Sequence, residues 1–498
     1  MNESKSFRAT FREDRLPFFA ALGFGLAAHG FWLTNKLPFD DDLPNFFTKG
    51  ATWVSGRYGL ELLRLVMPDV SMPWIYGLMS LCFLALAVCL TVRLFHIESR
   101  ALRVLLAGAL VCFPAEGATM GYAFTAAPYA LALLLSVAGV WCFAAEKRGK
   151  WVLAPLMIAF SCSVYQGYFA FAASFCVIGM LRALVTEGKS ARDVFLYGLR
   201  LLGLLLLSLA LYGLAVLAAT KLLGLPLLGE AVNARQSLAL RTAVAYSAWL
   251  KTLFRGYFAY VPTPVSLALH VLLLLAAGAS LLLRLRGERN AARIALLALL
   301  LFLFPLSSYC LYLMADNAYI HSLALYPFAS LYVLCAVLLD APAPPAGERL
   351  RAAASLALAG IVLGGAYFSN ALGLYAKLQY EETKALYTSV LARVFSLPDF
   401  DEACRVAIVG NAPAARWDAG EKFPFEKLRL PGVNITDTRQ AENLIRLYLG
   451  CELPFASEAE TDALVRSGAP DGMPVWPYDG SVKRIGDLAV VNFAGETP

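Results

Sequence analysis

The 498 residues are 59% hydrophobic and only 16% charged, with a mean hydropathy of +0.62. So little charge cannot cover a soluble globule of this length, which makes this a membrane protein. The net charge of +6 would point to nucleic acid only if basic residues clustered on a soluble face; they lie between hydrophobic runs instead, and no nucleic-acid partner is expected.

Runs of roughly 17–25 apolar residues cross a hydrocarbon core of about 30 Å. Such runs, two of them short, fall at 16–35, 72–95, 101–115, 121–144, 151–165, 167–186, 194–220, 263–283, 291–312, 319–339 and 352–369. They predict an all-α polytopic membrane protein of about eleven transmembrane helices. The run at 151–165 can also be read as one broken element with its successor. No cleavable signal is expected, because the first run is long enough to span and no small-residue cleavage site follows it.

Basic residues mark alternate connections: Lys5, Arg8, Arg12 and Arg15; Arg93, Arg100 and Arg103; Lys147, Arg148 and Lys150; Arg182, Lys189 and Arg192; Arg284, Arg286, Arg289 and Arg293; Arg349 and Arg351. The connections at 114–120, near 166 and at 313–318 carry none. The positive-inside bias predicts a cytoplasmic N-terminus, and an odd number of spans then puts the C-terminus outside. Two longer connections, 36–71 and 221–262, fall on that outer side.

After residue 370 the apolar runs stop. The sequence divides into a transmembrane domain, 1–370, and an extracytoplasmic domain, 371–498. The second starts with a linking helix through Leu372, Tyr375, Leu378, Tyr387, Val390 and Val394, and continues as a small α/β domain with strands at 405–409 and 488–493. Ala341–Ala346 is a short Pro-rich linker. Eight of the ten cysteines lie in apolar spans; Cys404 and Cys451 alone lie in the outer domain, where they are expected to be able to pair. No Cys/His spacing suggests zinc.

The first outer connection contains Leu37-Pro38-Phe39-Asp40-Asp41-Asp42-Leu43-Pro44-Asn45. Three adjacent carboxylates beside hydrocarbon are costly; they hold a proton between them or share a divalent cation. They read either as a catalytic base with a second carboxylate orienting it or as a solvated acidic turn. Trp53-Val54-Ser55-Gly56-Arg57-Tyr58-Gly59 follows, in a stretch with amphipathic spacing that predicts an interfacial helix. Arg57 is then available to a phosphate, or the aromatics form an ordinary belt. Glu116, Tyr165-Gln166-Gly167-Tyr168, Asp316-Asn317 and His321 fall on the same side and read as the rim of an outward-facing polar cavity, or as caps and loops. In the connection 221–262, Arg235 and Arg241 are candidates to grip an anionic headgroup, or lie on a solvated juxtamembrane helix.

The acidic pair followed by Trp53–Tyr58, the Ser163-Val164-Tyr165-Gln166 element, Ser369-Asn370 with Tyr375, Tyr380 and Glu382 after it, and the closing Met473–Ser481 segment together resemble the bacterial O-antigen (serotype-conversion) glucosyltransferases, polytopic glycosyltransferases of the GT-C type. The likeness covers most of the chain. It implies a GT-C-like fold in the bacterial inner membrane and a polyprenyl-phosphate-linked sugar donor, most simply glucose. The acceptor it implies is a cell-surface glycan such as lipopolysaccharide O-antigen. It maps the acidic pair onto Asp41 and Asp42 as catalytic residues, with Asp40 beside them; Asn45 stands where the family has a basic residue. An inverting transfer needs one base, with Arg or Lys stabilising the leaving phosphate. A flippase or transporter would favour internal repeats and mid-span charges, and neither is evident. A polysaccharide polymerase is the other polytopic alternative.

Overall fold

The computed structural model describes residues 7–50, 52–146, 148–224, 236–255, 263–314, 322–340, 345–398, 400–401, 403–412, 433, 435 and 438–494. They form two compact units. One comprises residues up to 36 and 49–372; the other comprises 37–48 and the described residues from 373 onward.

The first unit is helical, and the last of its helices runs on past residue 372 into the second. Its elements are α1 (Phe7–Thr34), α2 (Tyr58–Leu63), α3 (Pro73–Leu94), α4 (Arg100–Val111), α5 (Pro114–Gly121), α6 (Ala126–Ala144), α7 (Lys150–Val164), α8 (Phe169–Val185), α9 (Ala191–Leu223), α10 (Leu238–Arg255), α11 (Thr263–Leu285), α12 (Ala291–Ser308), α13 (Leu311–Met314), α14 (Ser330–Asp340) and α15 (Pro345–Phe395). Among the described residues nine helices are long and apolar enough to cross a membrane, and α4 with α5 adds a tenth if that pair, bent by 46°, is one span. These ten and the short apolar α7 fall on the eleven runs of the sequence, and the chain is a multi-pass membrane protein. One expectation changes: the connection at 114–120 is a buried helix, which Pro114 opens at a first-turn position where its missing N–H costs nothing. The connection 221–262 contains α10, in keeping with the juxtamembrane helix that was one of its two readings.

Hydropathy alone does not say which helix is central. Within Ala191–Leu222 only 17% of the most apolar window is buried in protein, whereas 94% is buried for Leu323–Asp340. The first therefore presents its leucines to lipid. The second forms the core, with α14 packed on α4, α8 and α11.

The break between α4 and α5 leaves helix-end carbonyls that a bilayer cannot satisfy. The Tyr326 hydroxyl donates to the Leu110 carbonyl at 2.8 Å, and His29 Nε2 donates to the Val111 carbonyl at 2.9 Å. A carbonyl only accepts, so Nδ1 of His29 is left to accept from the Ser369 hydroxyl at 2.8 Å. A Cβ on Gly365 would stand 2.1 Å from the Cys112 carbonyl oxygen; glycine is what lets α15 lie against the break.

In the second unit, β1 (Arg405–Val409) pairs in parallel with β3 (Leu488–Asn492), and β2 (Val482–Ile485) pairs antiparallel with β3, giving the order β1-β3-β2. Ala407, Val409, Ala456, Leu488 and Val490 form a core, against which Leu464 of α17 (Glu458–Arg466) packs; Tyr448 at the end of α16 (Thr438–Tyr448) meets the Tyr380 ring. Two of the strands match the sequence reading; β2, short and half charged, was not foreseen. The expected span at 352–369 and the linking helix are one continuous α15. Cys404 and Cys451 are both free thiols, so the pairing expected of them is not formed.

Candidate active site

The segment around Arg57 is not the interfacial helix its spacing predicts. Residues 53–56 form turns, with the Gly56 amide donating to Trp53 O (2.9 Å) and the Arg57 amide to Thr52 O (2.7 Å). Gly56 has φ +69°, a left-handed conformation that stops a helix from running through. Only the six residues of α2 are helical.

This turn is held by the other sequence element singled out for its pattern. Gln166 Nε2 donates to Ser55 O at 2.8 Å and to the Tyr212 hydroxyl at 2.9 Å, and that hydroxyl donates to Gly56 O at 3.2 Å. A Cβ on Gly59 would fall 2.3 Å from Ser163 Oγ and 2.9 Å from Ser163 O, so glycine alone lets α2 rest on the end of α7. Tyr165, extended at ψ 112°, ends α7, and a 3-10 turn at Gln166–Tyr168 leads into α8. The Trp53–Gly59 and Ser163–Tyr168 segments, over a hundred residues apart, are thus brought together.

Arg57 lies at this junction. Its guanidinium carbon is 5.3 Å from the Tyr165 ring centroid, and its Nη1 donates to the Tyr129 hydroxyl at 3.2 Å. Tyr129 and Tyr165 stack at 4.6 Å, Tyr165 meets Tyr168 at 5.3 Å, and Tyr168 meets Tyr326 at 6.4 Å. Tyr168 and Tyr326 both lie within electrostatic reach of Glu116. Glu116 is 1% exposed, and neither carboxylate oxygen has a hydrogen-bond partner among the described residues. An aromatic run therefore joins a cation to a buried carboxylate. Tyr129 and Tyr212 had no sequence signal; they sit in spans where a tyrosine reads as ordinary packing.

Two lysines of the first connection were also missed. Lys49 is 3% exposed; its Nζ donates to Pro68 O (3.1 Å) and Phe124 O (3.2 Å) and lies 4.6 Å from the Tyr76 ring centroid. Burial lowers this ammonium to about 8, against the opposing pull of Asp69. Lys36 Nζ donates to Ser71 Oγ at 2.8 Å, and burial lowers it to about 7. Charge in a connection looks solvated in sequence, and only the fold reveals that these groups are buried.

The acidic residues belong to the other unit. Asp40–Asp42 is a single 3-10 turn, anchored by buried Phe39 and Leu43. The Asp42 amide donates to Phe39 O (2.8 Å), and Asn45 Nδ2 donates to Asp41 O (2.7 Å). Asp42 is fully buried and Asp41 exposed; the side chain of Asp40 lies outside the described residues. Among the described residues no three His, Cys, Asp or Glu are grouped as metal ligands. Arg235 and His321 also lie outside them, as does the Asp316-Asn317 pair. Arg241 is half-buried on α10, where its Nη1 donates to the carbonyl of Leu313.

The sequence model of one family, Glucosyl transferase GtrII, matches residues 30–339. No curated protein and no solved structure matches the chain.

Proposed function

The chain belongs to the GtrII glucosyl transferase family, and from that premise we propose that it moves glucose from a polyprenyl-phosphate donor to a cell-surface glycan outside the cytoplasmic membrane. The observation that carries this reading is the placing of Arg57: a guanidinium held on the Tyr165 ring and oriented by Tyr129, where two separated motifs meet. A fixed, planar, permanently charged fork of this kind suits the phosphate of a lipid-linked sugar.

In the transfer, a carboxylate of the acidic turn takes the proton from an acceptor hydroxyl as that oxygen bonds to the anomeric carbon. The bond from that carbon to the phosphate oxygen breaks, and polyprenyl phosphate departs with the electron pair, inverting the centre. Asp41, the exposed member of the pair, is the better base, since an acceptor glycan arrives from water; Asp42 sits buried beside it. Arg57 offsets the charge that develops on the leaving phosphate, and Gln166 holds the turn that presents it. The C-terminal unit is the extracytoplasmic domain of this inner-membrane enzyme.

The protein in nanodiscs, given farnesyl-phosphate [14C]glucose and purified O-antigen, should label the glycan, and the Asp41→Asn/Asp42→Asn protein should not. Movement of the labelled lipid across a liposome without transfer to glycan would mark a flippase instead.

A further inference from the structure

We propose that Glu116 is the residue that reads the donor sugar, its carboxylate accepting hydrogen bonds from neighbouring ring hydroxyls of the hexose while Arg57 holds the phosphate. The assignment rests on the lipid-linked donor proposed above and names the part of that site which selects the sugar.

Glu116 is exceptional in its surroundings. A carboxylate removed from water without a partner carries a large free-energy penalty. Both of its oxygens lack one among the described residues, at 1% exposure. The backbone break beside it, by contrast, is supplied with partners. Tyr326 and His29 take up the carbonyls of Leu110 and Val111, Ser369 takes up His29, and Gly365 lets α15 close against Cys112. Gly117, next in sequence, would put a Cβ 3.0 Å from Ser369 Oγ. The carbonyls of Leu110 and Val111 are matched, whereas among the described residues the carboxylate is not. A glutamine or leucine would fit the same space at lower cost, so an unmatched acid persists where a ligand completes it.

The neighbours define that ligand. It must donate hydrogen bonds, and Tyr168 and Tyr326 lie within electrostatic reach of the carboxylate that receives them. No metal-holding group occurs among the described residues, and a divalent ion would ask for several oxygen ligands, usually more than one of them anionic. Adjacent sugar hydroxyls present paired donors to the two carboxylate oxygens, and tyrosine rings suit the apolar face of a pyranose. At the far end of the same run, through Tyr168 and Tyr165, stands Arg57. Cation, aromatic wall and hydroxyl acceptor follow the order of groups in a sugar phosphate.

The test compares wild type, Glu116→Gln and Glu116→Ala in nanodiscs, with farnesyl-phosphate glucose and its 2-, 3-, 4- and 6-deoxy analogues as donors. Glu116→Gln should lower kcat/KM for the glucosyl donor about ten- to a hundredfold. It should leave nearly unchanged the already reduced rate of a deoxy donor that lacks the hydroxyl Glu116 accepts from. Its thermal midpoint should equal or exceed that of wild type, because an unmatched carboxylate has been removed. Equal loss with every donor, a lower thermal midpoint, or unchanged kinetics would each overturn the assignment while leaving the donor reading intact. Absence of transfer from farnesyl-phosphate glucose by wild type would sink the donor reading and this assignment with it.

Discussion

At position 57 an arginine does what a lysine cannot. Its guanidinium stands over the Tyr165 ring and at the same time donates to the Tyr129 hydroxyl, whereas an ammonium is a point charge on a flexible stem. Arg57→Lys should therefore lower kcat/KM for the donor about tenfold, the weight of one cation–π and one hydrogen-bond contact, with an unchanged melting temperature; donor-saturation kinetics check it. Asp41→Asn keeps shape and removes basicity, so kcat should fall about 10²- to 10⁴-fold without loss of protein from the membrane. Lys49 affects stability rather than turnover. Burial holds its ammonium at about 8, against 10.5 ordinarily. Between those values the unfolded chain binds more protons than the folded one, so this group makes the fold more stable as pH rises through the window. In melts from pH 7 to 10.5, that rise should be smaller for Lys49→Met than for wild type; identical curves would remove Lys49 from the account.

The break between α4 and α5 shows how far an element can be foreseen. Pro114 is a local signal that a helix restarts there, yet the groups that make the break tolerable inside a membrane come from α1, the segment before α14, and α15. His29 and Ser369 are 340 residues apart, and no window of sequence contains both. His29→Leu should strand the Val111 carbonyl and cost about 1–3 kcal/mol, read as a lower melting temperature in detergent. Gly365→Ala should be at least as damaging, because the new methyl would overlap a backbone carbonyl rather than a movable side chain. The predicted helix at 53–59 failed for the opposite reason: its polar and apolar spacing was periodic, but Gly56 and the tie to Gln166 and Tyr212 made a turn the better solution.

For the whole molecule, the alternation of Lys and Arg between spans carries the expected orientation, with the N-terminus in the cytoplasm and the C-terminal unit outside. An alkaline phosphatase fused at Pro498 should be active in the periplasm, and a fusion active only as a cytoplasmic reporter would reverse the arrangement. Membrane class, the positions of the apolar segments, two of the three strands among the described residues and the kinship with glucosyltransferases were all legible in the sequence, because each depends on a short window: hydropathy, alternation or a local motif. The tertiary structure alone decided that Leu323–Asp340 is core while the more apolar Ala191–Leu222 faces lipid. It also decided that the Arg57 turn is pinned by Gln166, that the acidic turn joins the C-terminal unit, and that Glu116 is buried with no hydrogen-bond partner among the described residues. A window fixes how much a segment prefers to leave water; which neighbour receives each polar group depends on residues hundreds of positions away.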